Sequence, residues 1–243
     1  MIKTKGIVLK TVKYGETSII ASIFTDLLGK QSYIIKGVRT SKKTATKASL
    51  YQIGNILELE VYNAPNKSLQ FVKECKLATV YQTLNDSVIK NSIVIFMVEL
   101  LGQMVTEEQQ SDLFEFTESV LQLVDLLPSD KLSNIPIFYT HWVATQLGYE
   151  IQCNYSDNNR FFNVLDGRFD AIGGALPFYY NEIESNVFYH FLKIETLSEI
   201  IHTPIKMEQR QMLLQGLLQF LKIHAPNFND LKSLSILHTI LSV

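Results

Sequence analysis

The chain has 243 residues, 47% hydrophobic and 19% charged, with a formal net charge of −2. That composition excludes intrinsic disorder and fits one large globular domain or two modest ones. The near-neutral total hides a division, because residues 1–80 hold 13 Lys/Arg against 5 Asp/Glu and residues 81–243 hold 9 against 19. A basic first third points to a polyanionic partner there, and the acidic remainder to a partner of another kind. Residues 1–13 alternate apolar and polar side chains and lack the apolar core of a signal peptide. The most apolar stretch, 93–105, is too short to span a bilayer and contains Glu99, so it reads as a buried helix. Cys75 and Cys153 fall in different regions, too few for a disulfide framework or a four-thiolate zinc site. A cytoplasmic protein with reduced thiols is expected.

The first 80 residues read as five strands: 5–12, 18–25, 30–38, 55–62 and 69–75. Residues 26–29 form a short turn in which Gly29 can take a positive φ. The run NILELEVY at 55–62 alternates strictly, and NAPNK at 63–67 is a turn. Five short strands with no long helix predict a small closed barrel, since closure removes exposed edges. Between the third and fourth runs, 39–48 (RTSKKTATKA) holds four basic residues and no large apolar side chain, which predicts a mobile exposed loop.

After residue 80 the apolar spacing becomes helical. Helices are predicted over 87–105, over 111–127 before Pro128, and from Asn134-Ile135-Pro136 to Leu147, with Gly148 as the residue past the end. Residues 150–178 are rich in Asn, Asp, Gly and Pro and read as a β-hairpin insert or irregular loop. Helices resume over 187–200, from Thr203-Pro204 to Ala225, and over 230–241. The fold class is α+β: an N-terminal five-stranded OB-fold barrel over 1–80, then a mainly α-helical domain over 81–243 with a small turn-rich insert at 149–178.

No catalytic constellation stands out. Walker A, GxGxxG, GxSxG and HExxH are all absent, and no two of the five His are spaced as helical zinc ligands. His141 falls on an apolar helix and reads as a core or partly buried residue. Glu107-Glu108 and Glu182/Glu184 lie near helix starts, where carboxylates suit the dipole. Binding is therefore favoured over catalysis, with no cofactor. The candidate nucleic-acid contacts, to DNA or RNA, are Lys10, Lys13, Lys30, Lys36, Arg39, Lys42, Lys43 and Lys47 for phosphates, with Tyr14 and Tyr33 for stacking on bases.

Several segments carry a resemblance: KGIVLK at 5–10, Tyr14-Gly15-Glu16 with Ser18, Phe24-Thr25, Gly29-Lys30, and Lys36-Gly37-Val38-Arg39 followed by Ser41-Lys42. In this order they resemble the opening of the RecO family of bacterial recombination mediators. Length, a helical region after residue 80, and Leu147-Gly148-Tyr149 leading into the insert agree with it. The resemblance implies a DNA repair and recombination protein that binds single- and double-stranded DNA without nucleotide hydrolysis. It also implies annealing of strands coated with single-stranded DNA-binding protein, RecA loading together with RecR, and a cytoplasmic location at the nucleoid during repair.

The same resemblance implies a receptor for the acidic C-terminal tail of the single-stranded DNA-binding protein, for which Lys206, Arg210 and Lys222 are candidates. In many members of the family the insert carries two CxxC pairs that bind zinc. Here Cys153 is followed by Asn154, Tyr155 and Ser156, and 167–173 has no cysteine, so no metal is expected and Phe161, Phe162 and Phe169 are expected to form an apolar mini-core instead. Two other readings stay open. One is an OB-type RNA-binding factor. The other is an enzyme holding a divalent cation at Asp157, Asp166 and Asp170, although those residue types also favour turns.

Overall fold

A computed structural model describes residues 1–38, 48–64, 67–175 and 178–241. The chain divides into two compact units, Met1–Leu127 and Pro128–Val243. In the first, β1 (Ile2–Tyr14), β2 (Ser18–Thr25), β3 (Gly29–Ile35), β4 (Ile56–Tyr62) and β5 (Gln70–Leu77) close into a barrel in the order β1-β2-β3-β5-β4. Neighbours are antiparallel except β3 and β5, which are parallel. This is the five-stranded OB-fold barrel expected from the strand runs. Closure depends on the length of β1, whose first half pairs with β4 and whose second half pairs with β2. A register shift between Val8 and Lys10 marks the change of partner and bends the strand.

The strand period of two decides what fills the barrel. Val8, Ala21, Ile23, Tyr33, Ile35, Leu57, Leu59 and Val61 point inward and form one cluster, with Tyr51 packed among them. Gly6 shares this interior: a Cβ there would meet Ile23 Cγ2 at 2.5 Å, so only glycine lets β1 lie so close to β2. The alternate residues Ile7, Phe24 and Ile56 point outward and are nevertheless fully buried. Apolar outward residues need cover, and α1 (Val88–Met104) and α2 (Ser111–Leu126) supply it within the same unit. Phe24 rests against Phe114 of α2 with ring centres 5.8 Å apart, and Leu9 lies beside Gly102 of α1. Strands give way to helices near residue 80, while the compact division falls after Leu127.

Two polar attachments fix the helices to the barrel. At the β2–β3 turn, Gly29 has φ +62° and a Cβ would stand 2.3 Å from the Glu108 carbonyl oxygen, so the turn lies flush against the segment following α1. The Lys30 N–H donates to Thr106 O at 2.7 Å. Where the barrel hands over to α1, the Asp125 carboxylate accepts from the backbone N–H groups of Gln82, Thr83 and Leu84, the last at 2.7 Å. Lys90 is buried beside it and donates to the Thr83 hydroxyl and the Asp125 carbonyl. Burial alone would raise the Asp125 pKa, but these N–H groups and then the Lys90 charge hold it below the ordinary carboxylate range.

In the second unit, α3 (Ile135–Gln146) carries Pro136 in its first turn and ends at Gly148, with φ +83°. β6 (Phe161–Asn163) and β7 (Arg168–Asp170) form the expected hairpin insert. The single helix predicted over 187–200 is two: α4 (Glu182–Leu192) and α5 (Leu197–His202). Each opens with a capping box, Asn181 with Glu184 and Thr196 with Glu199, and these caps set the break. The next helix, α6 (Met207–His224), starts later than Thr203-Pro204 suggested, because Thr203 closes α5, its hydroxyl donating back to Glu199 O. A short α7 (Leu234–Leu241) follows. Among the described residues no helix is long and apolar enough to cross a membrane.

Candidate nucleic-acid interface

Opposed residues in a sheet share a face, so the register fixes which side chains the barrel shows outward. Because Ala21, Ile23, Tyr33 and Ile35 point inward, their neighbours Ile20, Ser22, Ser32 and Ile34 point outward. Val12 is paired with Ile20, Ile20 with Ile34, Ile34 with Phe71, and Phe71 with Tyr62. These five apolar side chains make a belt that runs strand to strand around the barrel. Val12 is 43%, Phe71 40% and Tyr62 48% exposed, far from the burial usual for such residues. One register step along β1, Tyr14 is 49% exposed. On the other side of the belt, Lys10 pairs with Ser22 and Ser22 with Ser32, which gives a polar margin.

The exposed cations nearest the belt lie on both sides of it, Lys10 in this margin and Lys36 two residues beyond Ile34. Lys10, Lys13 and Lys36 are exposed, and among the described residues they enter no ion pair. The Lys36 Nζ stands 5.5 Å from the centre of the Phe71 ring, which draws the ammonium over an aromatic face. By contrast Lys73 pairs with Glu60 at 3.0 Å, Lys76 with Glu58 at 2.7 Å, and Lys5 with Glu118 at 2.9 Å. A groove of about 590 Å³ lies against the belt, lined by Ile34, Lys36, Leu50, Phe71 and Cys75 among others.

Six of the ten expected contact residues fall within the described structure, and two of them need correcting. Tyr33 is fully buried in the barrel core, with its pKa raised by burial, so its ring has no face open to a base. Its place opposite Ala21 puts it inside. Lys30 donates its Nζ to Gly102 O at 3.0 Å, where a cation suits the C-terminal end of α1. Its ammonium is a helix attachment rather than a phosphate contact. Lys10, Lys13, Tyr14 and Lys36 are exposed near the belt. Arg39, Lys42, Lys43 and Lys47, and with them the expected loop 39–48 apart from Ala48, lie outside the described residues. The sequence reading missed Val12, Ile20, Ile34, Tyr62 and Phe71, although the strict alternation of 55–62 already marked Tyr62 as outward.

In the second unit, Lys206 and Arg210 stand one turn apart at the start of α6. Arg210 borders a small apolar cleft with Pro136, Ile137, Leu214, Leu237 and Leu241. Its Nη1 donates to Ile205 O at 2.6 Å, which holds the guanidinium at the rim. Lys222 does not join them. It is about 18 Å further along the helix axis, and its Nζ pairs with Asp230 at 2.8 Å.

The insert is fastened by side chains. Phe162 and Phe169 oppose each other across the hairpin, both buried, and continue into Tyr180 and Phe188. Phe161 faces the other way, half-buried against Gly173. The Asn154 amide both donates to and accepts from the Phe169 backbone. The Asn163 amide reaches Asp166, Asp170 and the Tyr179 hydroxyl, and Arg168 pairs with both carboxylates at 3.0 Å. Asp157 stands apart with Arg160. A single thiol, Cys153, and carboxylates already engaged do not fit a four-ligand zinc site, and among the described residues no three His, Cys, Asp or Glu gather to hold a metal.

A profile of the family described as "Recombination protein O N terminal" matches residues 1–81. Proteins named DNA repair protein RecO are similar along nearly the whole chain. That of Flavobacterium psychrophilum is 30% identical over 242 residues, that of Flavobacterium johnsoniae 30% over 244, and that of Christiangramia forsetii 30% over 250. Each alignment covers 99% of both chains.

Proposed function

The chain belongs to the RecO family, whose curated members are named DNA repair proteins, and from that premise we propose that it acts in DNA repair as a recombination mediator that binds DNA through its barrel. The observation that carries the reading is the excess of unpaired cations, Lys10, Lys13 and Lys36, beside an exposed aromatic belt. Ammonium groups neutralise phosphates and so reduce the repulsion between two strands brought together. Phosphate contacts carry no direct base information, so binding tolerates any sequence. In this reading the protein binds single- and double-stranded DNA and anneals strands coated with single-stranded DNA-binding protein. With RecR it helps RecA to load, in the cytoplasm and without hydrolysing a nucleotide. The cleft beside Lys206 and Arg210 suits an acidic peptide ending in an apolar residue, such as the tail of the single-stranded DNA-binding protein.

The test is annealing of complementary oligonucleotides coated with cognate single-stranded DNA-binding protein, with no nucleotide added. Acceleration is expected, weakened when Lys10, Lys13, Lys36, Arg39, Lys42, Lys43 and Lys47 are changed to Gln. If about six such cations engage single-stranded DNA, log K falls against log salt with a slope of about −4, and each lysine removed makes it shallower by about 0.7. Tighter binding to matched RNA, with no annealing of DNA, would move the chain to RNA metabolism.

A further inference from the structure

Phe71 is a large apolar ring left 40% exposed on a sheet whose other outward aromatic neighbour, Tyr62, is similarly exposed. Its partner across the parallel rung is Ile34, an apolar floor with no hydrogen-bonding group. Lys36 holds an ammonium 5.5 Å from the ring centre and forms no ion pair among the described residues. A flat apolar face with a cation beside it is complementary to one kind of ligand: a planar ring attached to an anion. A nucleotide has both, and its base presents a π-face only when it is not stacked in a duplex.

We propose that Phe71 is the base-stacking residue of this barrel, with Lys36 taking the adjoining phosphate and Tyr14 and Tyr62 extending the platform, so that the belt selects unpaired over paired strands. The assignment rests on the nucleic-acid reading above and adds to it a division of labour. Lysines bind either form of the polymer through its backbone. The belt adds affinity only for exposed bases. Val12, Ile20, Ile34 and Phe71 offer no donors or acceptors from their side chains, so stacking on Phe71 itself accepts every base alike. Elsewhere on the barrel Lys73 pairs with Glu60 and Lys76 with Glu58, which weakens the pull of those two lysines on phosphate.

The experiment uses the full chain with two probes, a labelled oligo(dT) of about 15 nucleotides, within the range of OB-fold site sizes, and a blunt mixed-sequence duplex. Phe71→Ala and Phe71→Leu are expected to weaken oligo(dT) binding about tenfold. Duplex affinity stays within about twofold, and the salt slope for oligo(dT) is unchanged because no phosphate contact is lost. Lys36→Gln weakens both probes and makes the slope shallower. Phe71→Trp retains binding, and its indole emission is quenched by oligo(dT) beyond the baseline set by Trp142, the single native tryptophan. The quenching result decides the matter if the alanine variant unfolds.

Three results overturn the stacking role: parental affinity for oligo(dT) in both truncations, equal losses for oligo(dT) and duplex, or a Phe71→Trp protein that binds without quenching. A parent protein that binds neither probe instead overturns the nucleic-acid reading, and the stacking role with it.

Discussion

His141 shows how one side chain can couple stability to pH. Its Nδ1 is buried without a hydrogen-bond partner among the described residues, and the Phe191 ring stands 5.6 Å away. Burial pushes its pKa down to about 4, from about 6.5 in an unfolded chain. The unfolded state therefore binds more protons over that interval, and stability falls as pH falls from about 6.5 towards 4. Replacing His141 by Phe is expected to remove this part of the pH dependence, read as a thermal midpoint that declines less steeply between pH 6.5 and 4.5 than in the parent. A core or partly buried place for His141 was legible from its apolar helix, and the residue is half-buried. The roles of Tyr33 and Lys30 were not. Both are of the right type to touch nucleic acid, but type does not say which way a strand residue faces. The run 30–38 alternates poorly, and only pairing with Ala21 puts Tyr33 inside.

Elements were recognised where the apolar period is strong and misjudged where side chains end them. The barrel strands emerged within a few residues of their bounds, since each carries alternating residues between turn formers. The break between α4 and α5 was written in Asn181–Glu184 and Thr196–Glu199, but the apolar run across it masked the caps. The attachment of α1 and α2 to the barrel has no local signature, because Asp125 meets Gln82, Thr83 and Leu84 only after folding. Asp125→Asn keeps the shape but presents donors to donors and leaves Lys90 buried beside a neutral group. A loss of about 3 kcal/mol is expected, measured by urea unfolding. A change near zero would mean that the carboxylate is not what holds this junction.

At the scale of the whole chain, the charge division between residues 1–80 and the rest was the most informative property of the sequence. It located the candidate interface on the barrel, although it could not separate cations already engaged, such as Lys5 with Glu118, from those left for a ligand. The polar clasp of the insert was equally hidden. Its Asn and Asp residues read as turn formers, and their convergence on Asn163 depends on the β6–β7 register.

The way the barrel closes bears on how fast it can assemble. The β2–β3 rungs begin between Thr25 and Gly29, neighbours that meet within microseconds. The β1–β4 rungs, from Ile7 with Ile56 to Ile2 with Val61, join parts of the chain about fifty to sixty residues apart. Their loop entropy must be overcome before any contact rewards it. Refolding after dilution from denaturant should therefore show the barrel forming in milliseconds to seconds. Substitutions in the β2–β3 turn should alter its rate differently from substitutions in the β1–β4 seam, so the speed of assembly is set by the seam whose partners lie farthest apart along the chain.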